Sequence, residues 1–107
     1  MDGSQTPLEE GYEHHRAGRL KEAHEVYKVV VAGEPENAAA HYLLGTLYMQ
    51  GGDKKLAVDL LAKALHLDED NNEYRCNLGT ALLQAGRMEE GIQTLKQTLE
   101  AEPDHLL

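Results

Sequence analysis

A single interval organises this chain. Gly11, Gly45 and Gly79 stand 34 residues apart, and so do Gly18, Gly52 and Gly86. The same step links Ala23, Ala57 and Gly91, all small, and Tyr27, Leu61 and Leu95, all large and apolar. Pro35 and Pro103 lie two steps apart, with Glu69 between them. A chain that repeats at such an interval builds one supersecondary unit several times over. Each unit then buries its apolar face against its neighbours rather than in a central core. The sequence holds three copies, about 4–37, 38–71 and 72–105, beginning near Ser4, Ala38 and Asn72.

Within a unit the apolar spacing is helical. Leu44, Leu47, Tyr48 and Gly51 follow i, i+3, i+4, i+7, and Leu56, Ala57, Leu60, Leu61 and Ala64 make a second stripe. The third unit repeats this with Leu78, Ala81, Leu82 and Ala85, then Met88, Ile92, Leu95 and Leu99. Gly52 and Gly86 should close the first helix of their units, and Asp53 should cap the helix that follows. Thr6, Pro7 and Glu9 read as a capping box that opens the first helix. Residues 1–5 read as a flexible tail and 6–107 as one repeat domain. The β-branched segment from Val26 to Gly33 has strand-like composition, but the 34-residue register places it on a helix.

Gly11, Gly45 and Gly79 then fall inside helices, where glycine costs about 1 kcal/mol relative to alanine. The compensation expected is close approach of two antiparallel helices, with these glycines meeting Ala23, Ala57 and Gly91.

These residues resemble the tetratricopeptide repeat, a helix–turn–helix of 34 residues with the pattern W-x2-L-G-x2-Y, then Ala, an aromatic and Pro. Leu44, Gly45 and Tyr48 fill the L-G-x2-Y slots of the second unit, with Gly52 at the turn, Ala57 at the small position and Leu61 in the aromatic slot. The third unit has Leu78 and Gly79, with Leu82 for Tyr and Gly91 for Ala. The first keeps Gly11, Gly18, Ala23, Tyr27 and Pro35, but has Glu10 and His14 in apolar slots. Pro7, His41 and Arg75 replace the Trp in all three. The resemblance covers about residues 4–105.

It implies an all-α fold, a right-handed superhelix of antiparallel helix pairs whose first helices line a concave groove. In the family's register the groove positions are Leu8 and Tyr12, then Tyr42, Leu43, Thr46 and Met49, then Cys76, Asn77, Thr80 and Leu83. That lining is apolar for a solvent-facing surface, and such patches mark interaction sites. A partner's extended peptide or helix fits there. Family members that bind chaperone C-termini clamp the terminal carboxylate with Lys, Asn and Arg. The corresponding slots here hold Leu8, Tyr12, Leu43, Glu73 and Asn77, and Glu73 has the wrong sign. The asparagine ladder of O-linked N-acetylglucosamine transferases would occupy Glu9, Leu43 and Asn77, so one rung of three is present.

Charge narrows the partner further. The formal net charge is −9, which opposes nucleic-acid phosphates and anionic membrane surfaces. An apolar, neutral or basic protein ligand fits better. No apolar run approaches the about 20 residues that span a bilayer, and the N-terminus has no signal-peptide pattern. The expectation is a cytoplasmic protein.

No catalytic constellation is visible, so the chain reads as a non-enzyme without a cofactor. His14 and His15 are adjacent and point about 100° apart on a helix, and His24, His41, His66 and His105 have no i, i+4 His or Cys partner. Cys76 is the single cysteine and has no sequence-local base. Ser4 is the single serine, outside any G-x-S-x-G, and no phosphate-binding G-x-x-x-x-G-K-[ST] loop occurs.

Three functions compete. The first is a protein-interaction scaffold with a peptide or helix in the groove. The second is an N-terminal repeat arm of a larger enzyme such as a glycosyltransferase. The third is a self-associating structural unit. The sequence stops at Leu107 with no further helix to cover Met88, Ile92, Leu95 and Leu99. Another copy covering that face would make a homo-oligomer.

Overall fold

The structure is a computed structural model and describes residues 5–102. Six helices follow in order: α1 Pro7–Arg16, α2 Leu20–Gly33, α3 Ala38–Gly51, α4 Lys54–Leu67, α5 Asn72–Gln84 and α6 Met88–Ala101. Among the described residues there is no strand. Val26 to Gly33 is the end of α2, so tertiary register prevails over β-branched composition. Ser4, Pro103, His105 and Leu107, and residues 1–4 of the expected tail, lie outside the described residues.

The helices pack as antiparallel pairs, α1 with α2, α3 with α4 and α5 with α6, and the pairs meet through α2 with α3 and α4 with α5. The result is elongated, 45 × 27 × 25 Å. Turn chemistry repeats with the sequence. Gly18, Gly52 and Gly86 have φ of 83°, 91° and 84°. The next residue's N–H reaches back five positions each time, Arg19 to His14 (2.8 Å), Asp53 to Tyr48 (3.0 Å) and Arg87 to Leu82 (2.9 Å). This hydrogen bond and the left-handed glycine close a helix C-terminus together.

The starts are capped as well. Thr6 and Glu9 form the expected box, with Glu9 N–H donating to Thr6 Oγ1 at 3.1 Å and Thr6 N–H to Glu9 Oε1 at 2.9 Å. Asp53 accepts from Leu56 N–H at 3.2 Å. Asn37 and Asn71, also one interval apart, accept from Ala40 and Tyr74 N–H at 3.1 and 3.0 Å.

The core comes in two clusters rather than one. Ala23, Tyr27, Leu44 and Leu47 close the first interface between units, and Val58, Leu61, Leu78, Ala81 and Leu82 close the second. The helix glycines serve close packing, but their neighbours differ from expectation. A Cβ on Gly11 would meet Tyr27 at 2.7 Å, on Gly45 Leu61 at 3.0 Å, and on Gly79 Leu95 at 2.7 Å. The atoms nearest each glycine therefore belong to the large residue of the second helix. Direct contact of the paired small positions is seen at Gly79 and Gly91, where a Cβ on Gly91 would lie 3.1 Å from the Gly79 carbonyl oxygen.

Among the described residues, no helix is long and apolar enough to cross a membrane.

Candidate functional site

The first helices α1, α3 and α5 carry the expected groove positions, and the structure divides them into three groups. Leu8, Tyr12 and Leu43 come together beside a depression of about 590 Å³ between α1 and α3, with Glu9, Glu13 and Arg16 around them. Tyr12 is 48% exposed. The Arg16 guanidinium carbon lies 6.0 Å from the Tyr12 ring centre, within cation–π range.

Tyr42 and Asn77 form the second group. The Tyr42 ring stacks on Tyr74 with centroids 4.5 Å apart and planes at 22°. Its hydroxyl accepts from Asn77 Nδ2 at 3.1 Å and faces Glu73 Oε2 at 3.4 Å. Asn77 Nδ2 also donates to the Glu73 carbonyl at 2.9 Å. Burial, then the Glu73 carboxylate, push the Tyr42 phenol up to about 12. Thr46 and Thr80 direct their hydroxyl protons into their own helices, to the carbonyls of Leu43 (2.8 Å) and Cys76 (3.1 Å). Their oxygens remain as acceptors. Cys76 is partly buried, and burial followed by Glu73 raises its thiol pKa. That is opposite to the shift a nucleophilic cysteine requires.

Met49 and Leu83 form the third group. Met49 packs against the cluster between the second and third units. Leu83 lies against α6, with Cδ2 2.7 Å from where a Cβ on Gly91 would be. Both side chains are half-buried.

The sequence reading missed polar ties from the first unit to the second. His15 Nδ1 lies 3.1 Å from the buried Tyr27 hydroxyl, and its Nε2 pairs with Gln50 Oε1. His24 Nε2 lies 2.8 Å from the Tyr48 hydroxyl. Burial pushes the Tyr27 phenol up to about 12. No group of three or more His, Cys, Asp or Glu able to hold a metal ion occurs among the described residues.

The tetratricopeptide repeat family model matches residues 14–75 and again 52–107. The chain belongs to the tetratricopeptide repeat family. Human DnaJ homolog subfamily C member 3 is 31% identical over 87 residues, covering 81% of this chain and 17% of that protein. A mutant O-GlcNAc transferase of Thermobaculum terrenum superposes with a TM-score of 0.85 at 34% identity, covering 92% of this chain and 19% of that one. The second repeat domain of human RPAP3, in complex with the HSP70 peptide SGPTIEEVD, superposes with a TM-score of 0.85 at 22% identity, covering 92% and 82%. The chain thus spans under a fifth of the DnaJ homolog and of the transferase. Its architecture is the all-α superhelix of antiparallel helix pairs that tetratricopeptide repeats share, and α1, α3 and α5 are the first helices of its repeats.

Proposed function

We propose that this chain is a protein-interaction scaffold whose concave groove, lined by α1, α3 and α5, holds an extended or helical segment of a partner protein. The observation that carries this reading is the exposed Tyr12 ring beside open space, with the partly buried Leu8 and Leu43 next to it. A surface of that kind gains most from being covered. Farther along the groove Tyr42, Asn77, Thr46, Thr80 and Cys76 offer polar edges, chiefly acceptors, suited to the N–H groups of a peptide. Residues 6–107 act as one repeat domain in this reading, and the protein works as a cytoplasmic non-enzyme without a cofactor.

Charge selects the partner. Glu9 and Glu13 rim the first depression and Glu73 faces Tyr42. The RPAP3 neighbour holds a peptide that ends in Glu-Glu-Val-Asp. Such a tail would meet Glu73 here, with Leu8, Tyr12 and Leu43 in slots of a carboxylate clamp that is built from Lys, Asn and Arg. An apolar, neutral or basic segment is favoured over an acidic tail, a nucleic acid or an anionic membrane.

The test is capture of partners from native lysate with wild type and with Tyr12→Glu plus Leu43→Glu, after circular dichroism has shown both to be folded. Loss of specific partners from the variant supports the groove. Identical recoveries overturn it.

The likeness to the bacterial O-GlcNAc transferase supports a second reading, a repeat arm that presents substrates to an enzyme domain. Self-association is a third. Met88, Ile92 and Leu99 on α6 are 54%, 47% and 44% exposed, and a second copy would bury them. Mass in solution distinguishes it from the first two.

A further inference from the structure

The face opposite the concave groove holds a second surface. α2 and α4 are successive second helices, and α3 floors the gap between them. Leu44, Tyr48 and His41 form that floor, and Val31 of α2 with Leu56 and Leu60 of α4 form apolar walls around about 500 Å³. Leu56 is 41% exposed.

The molecule contains its own control. One interval later, a gap between α4 and α6 lies over α5, with Leu78 and Leu82 in the floor. There the residues equivalent to Leu56, Leu60 and Lys63 are Glu90, Thr94 and Gln97. The repeat geometry therefore tolerates a polar second wall at this gap, while Val58 and Ala62 of α4 keep the other wall apolar. In the first gap Val31 and Leu60 also pack against the core, and Leu56 is the wall residue that stands exposed. An open gap that keeps leucines on the wall where its sister carries Glu90, Thr94 and Gln97 offers apolar surface to a ligand that covers it.

Charge indicates what covers it. Lys28 on α2 and Lys63 on α4 line the first gap, and neither makes an ion pair among the described residues. The third charge there, Asp59, lies 3.8 Å from Lys55. On a chain of net charge −9, this gap presents two unpaired cations beside leucine and valine. We propose that the α2–α3–α4 gap is a second docking site, on the convex side, for an amphipathic segment of a partner protein with an apolar stripe flanked by carboxylates. Apolar side chains of that segment cover Leu56, Leu60 and Val31, and its carboxylates reach Lys28 and Lys63. The site prefers acidic segments, and the concave groove opposes them. The two faces therefore take different ligands and do not compete.

The test uses the full chain and a blocked synthetic helix of about 18 residues, long enough to be helical when bound. Its leucines repeat at i, i+3, i+4 and i+7, with glutamates on both flanks. The peptide should shift the methyl resonances of Val31 and Leu56 and leave those of Leu8 and Leu43 in place. Leu56→Glu, which copies Glu90 of the sister gap, should weaken binding about tenfold or more, because it would bury a carboxylate against apolar surface. Lys28→Glu with Lys63→Glu changes exposed side chains only and keeps the fold. It should weaken the glutamate-flanked peptide and strengthen a lysine-flanked one. Raising the salt to about 0.5 M should weaken the wild-type complex, since screening then acts within a few ångströms. The proposal is overturned by shifts confined to the concave residues, by equal affinity of the two peptides for wild type, by no effect of the lysine reversals, or by no binding at all.

Discussion

The carbonyl oxygen of Gly79 lies 3.1 Å from the point a Cβ on Gly91 would occupy, so α5 and α6 meet backbone to backbone. Leu83 closes over the same glycine. Gly91→Ala should therefore overpack the pair at a cost of about 1–3 kcal/mol, more than the about 1 kcal/mol that alanine gains in a helix. Gly33 ends α2 with nothing within 4 Å of a Cβ, so Gly33→Ala should stabilise by about 0.4–1 kcal/mol. Urea midpoints of the two variants should move in opposite directions. A shift of both the same way contradicts the packing described for α5 and α6.

The capping asparagines give a second expectation. Asn71 accepts from Tyr74 N–H at 3.0 Å and Asn37 from Ala40 N–H at 3.1 Å. Replacing either by alanine should cost about 1 kcal/mol. Equal losses in chemical denaturation are expected, and an unchanged midpoint for both would rule out a capping role.

Alkaline stability follows from the tyrosines. Tyr27 and Tyr42 have phenols raised from 10.0 to about 12, first by burial, with Tyr12 and Glu73 respectively as the next contributors. In the unfolded chain both ionise near 10, while in the fold they stay neutral. Their contribution is full below pH 10 and is lost as the pH rises from 10 to about 12. Melting temperature should fall steeply across that window. Tyr42→Phe should flatten the fall while leaving the ring stacked on Tyr74. A profile identical to wild type would show that the Tyr42 hydroxyl takes no part in it.

Cys76 should react sluggishly. Burial and the neighbouring Glu73 raise its thiol pKa, so less thiolate is present at neutral pH than on a free cysteine. Alkylation followed by mass spectrometry should be slower than for a cysteine peptide, and Glu73→Gln should accelerate it. Reaction faster than the peptide would contradict this electrostatic account.

The architecture was legible because the 34-residue interval carries it. Left-handed glycines, helix boundaries and the buried Tyr27 and Leu61 all recur with that step. The groove was legible only as a set of helix positions. Register says which way a helix turns its residues, but the size of a neighbour decides whether a side chain stays there. Gly91 replaces the alanine of the second unit and leaves a space that Leu83 fills, so this side chain lies against α6. In the same way the side chains nearest Gly11 and Gly45 are Tyr27 and Leu61, sixteen positions after each glycine. The ties from His15 to Gln50 and from His24 to Tyr48 join residues 35 and 24 positions apart. No local periodicity signals such pairs.

The linear order of contacts has a mechanical consequence. Each unit bears mainly on the next, through α2 with α3 and α4 with α5, so the two interfaces act like successive joints of a short spring. Bending at the first joint changes the spacing of α1 and α3 on one side and of α2 and α4 on the other. Curvature, rather than the opening of a cleft, is then the coordinate that such a chain of joints leaves free to vary.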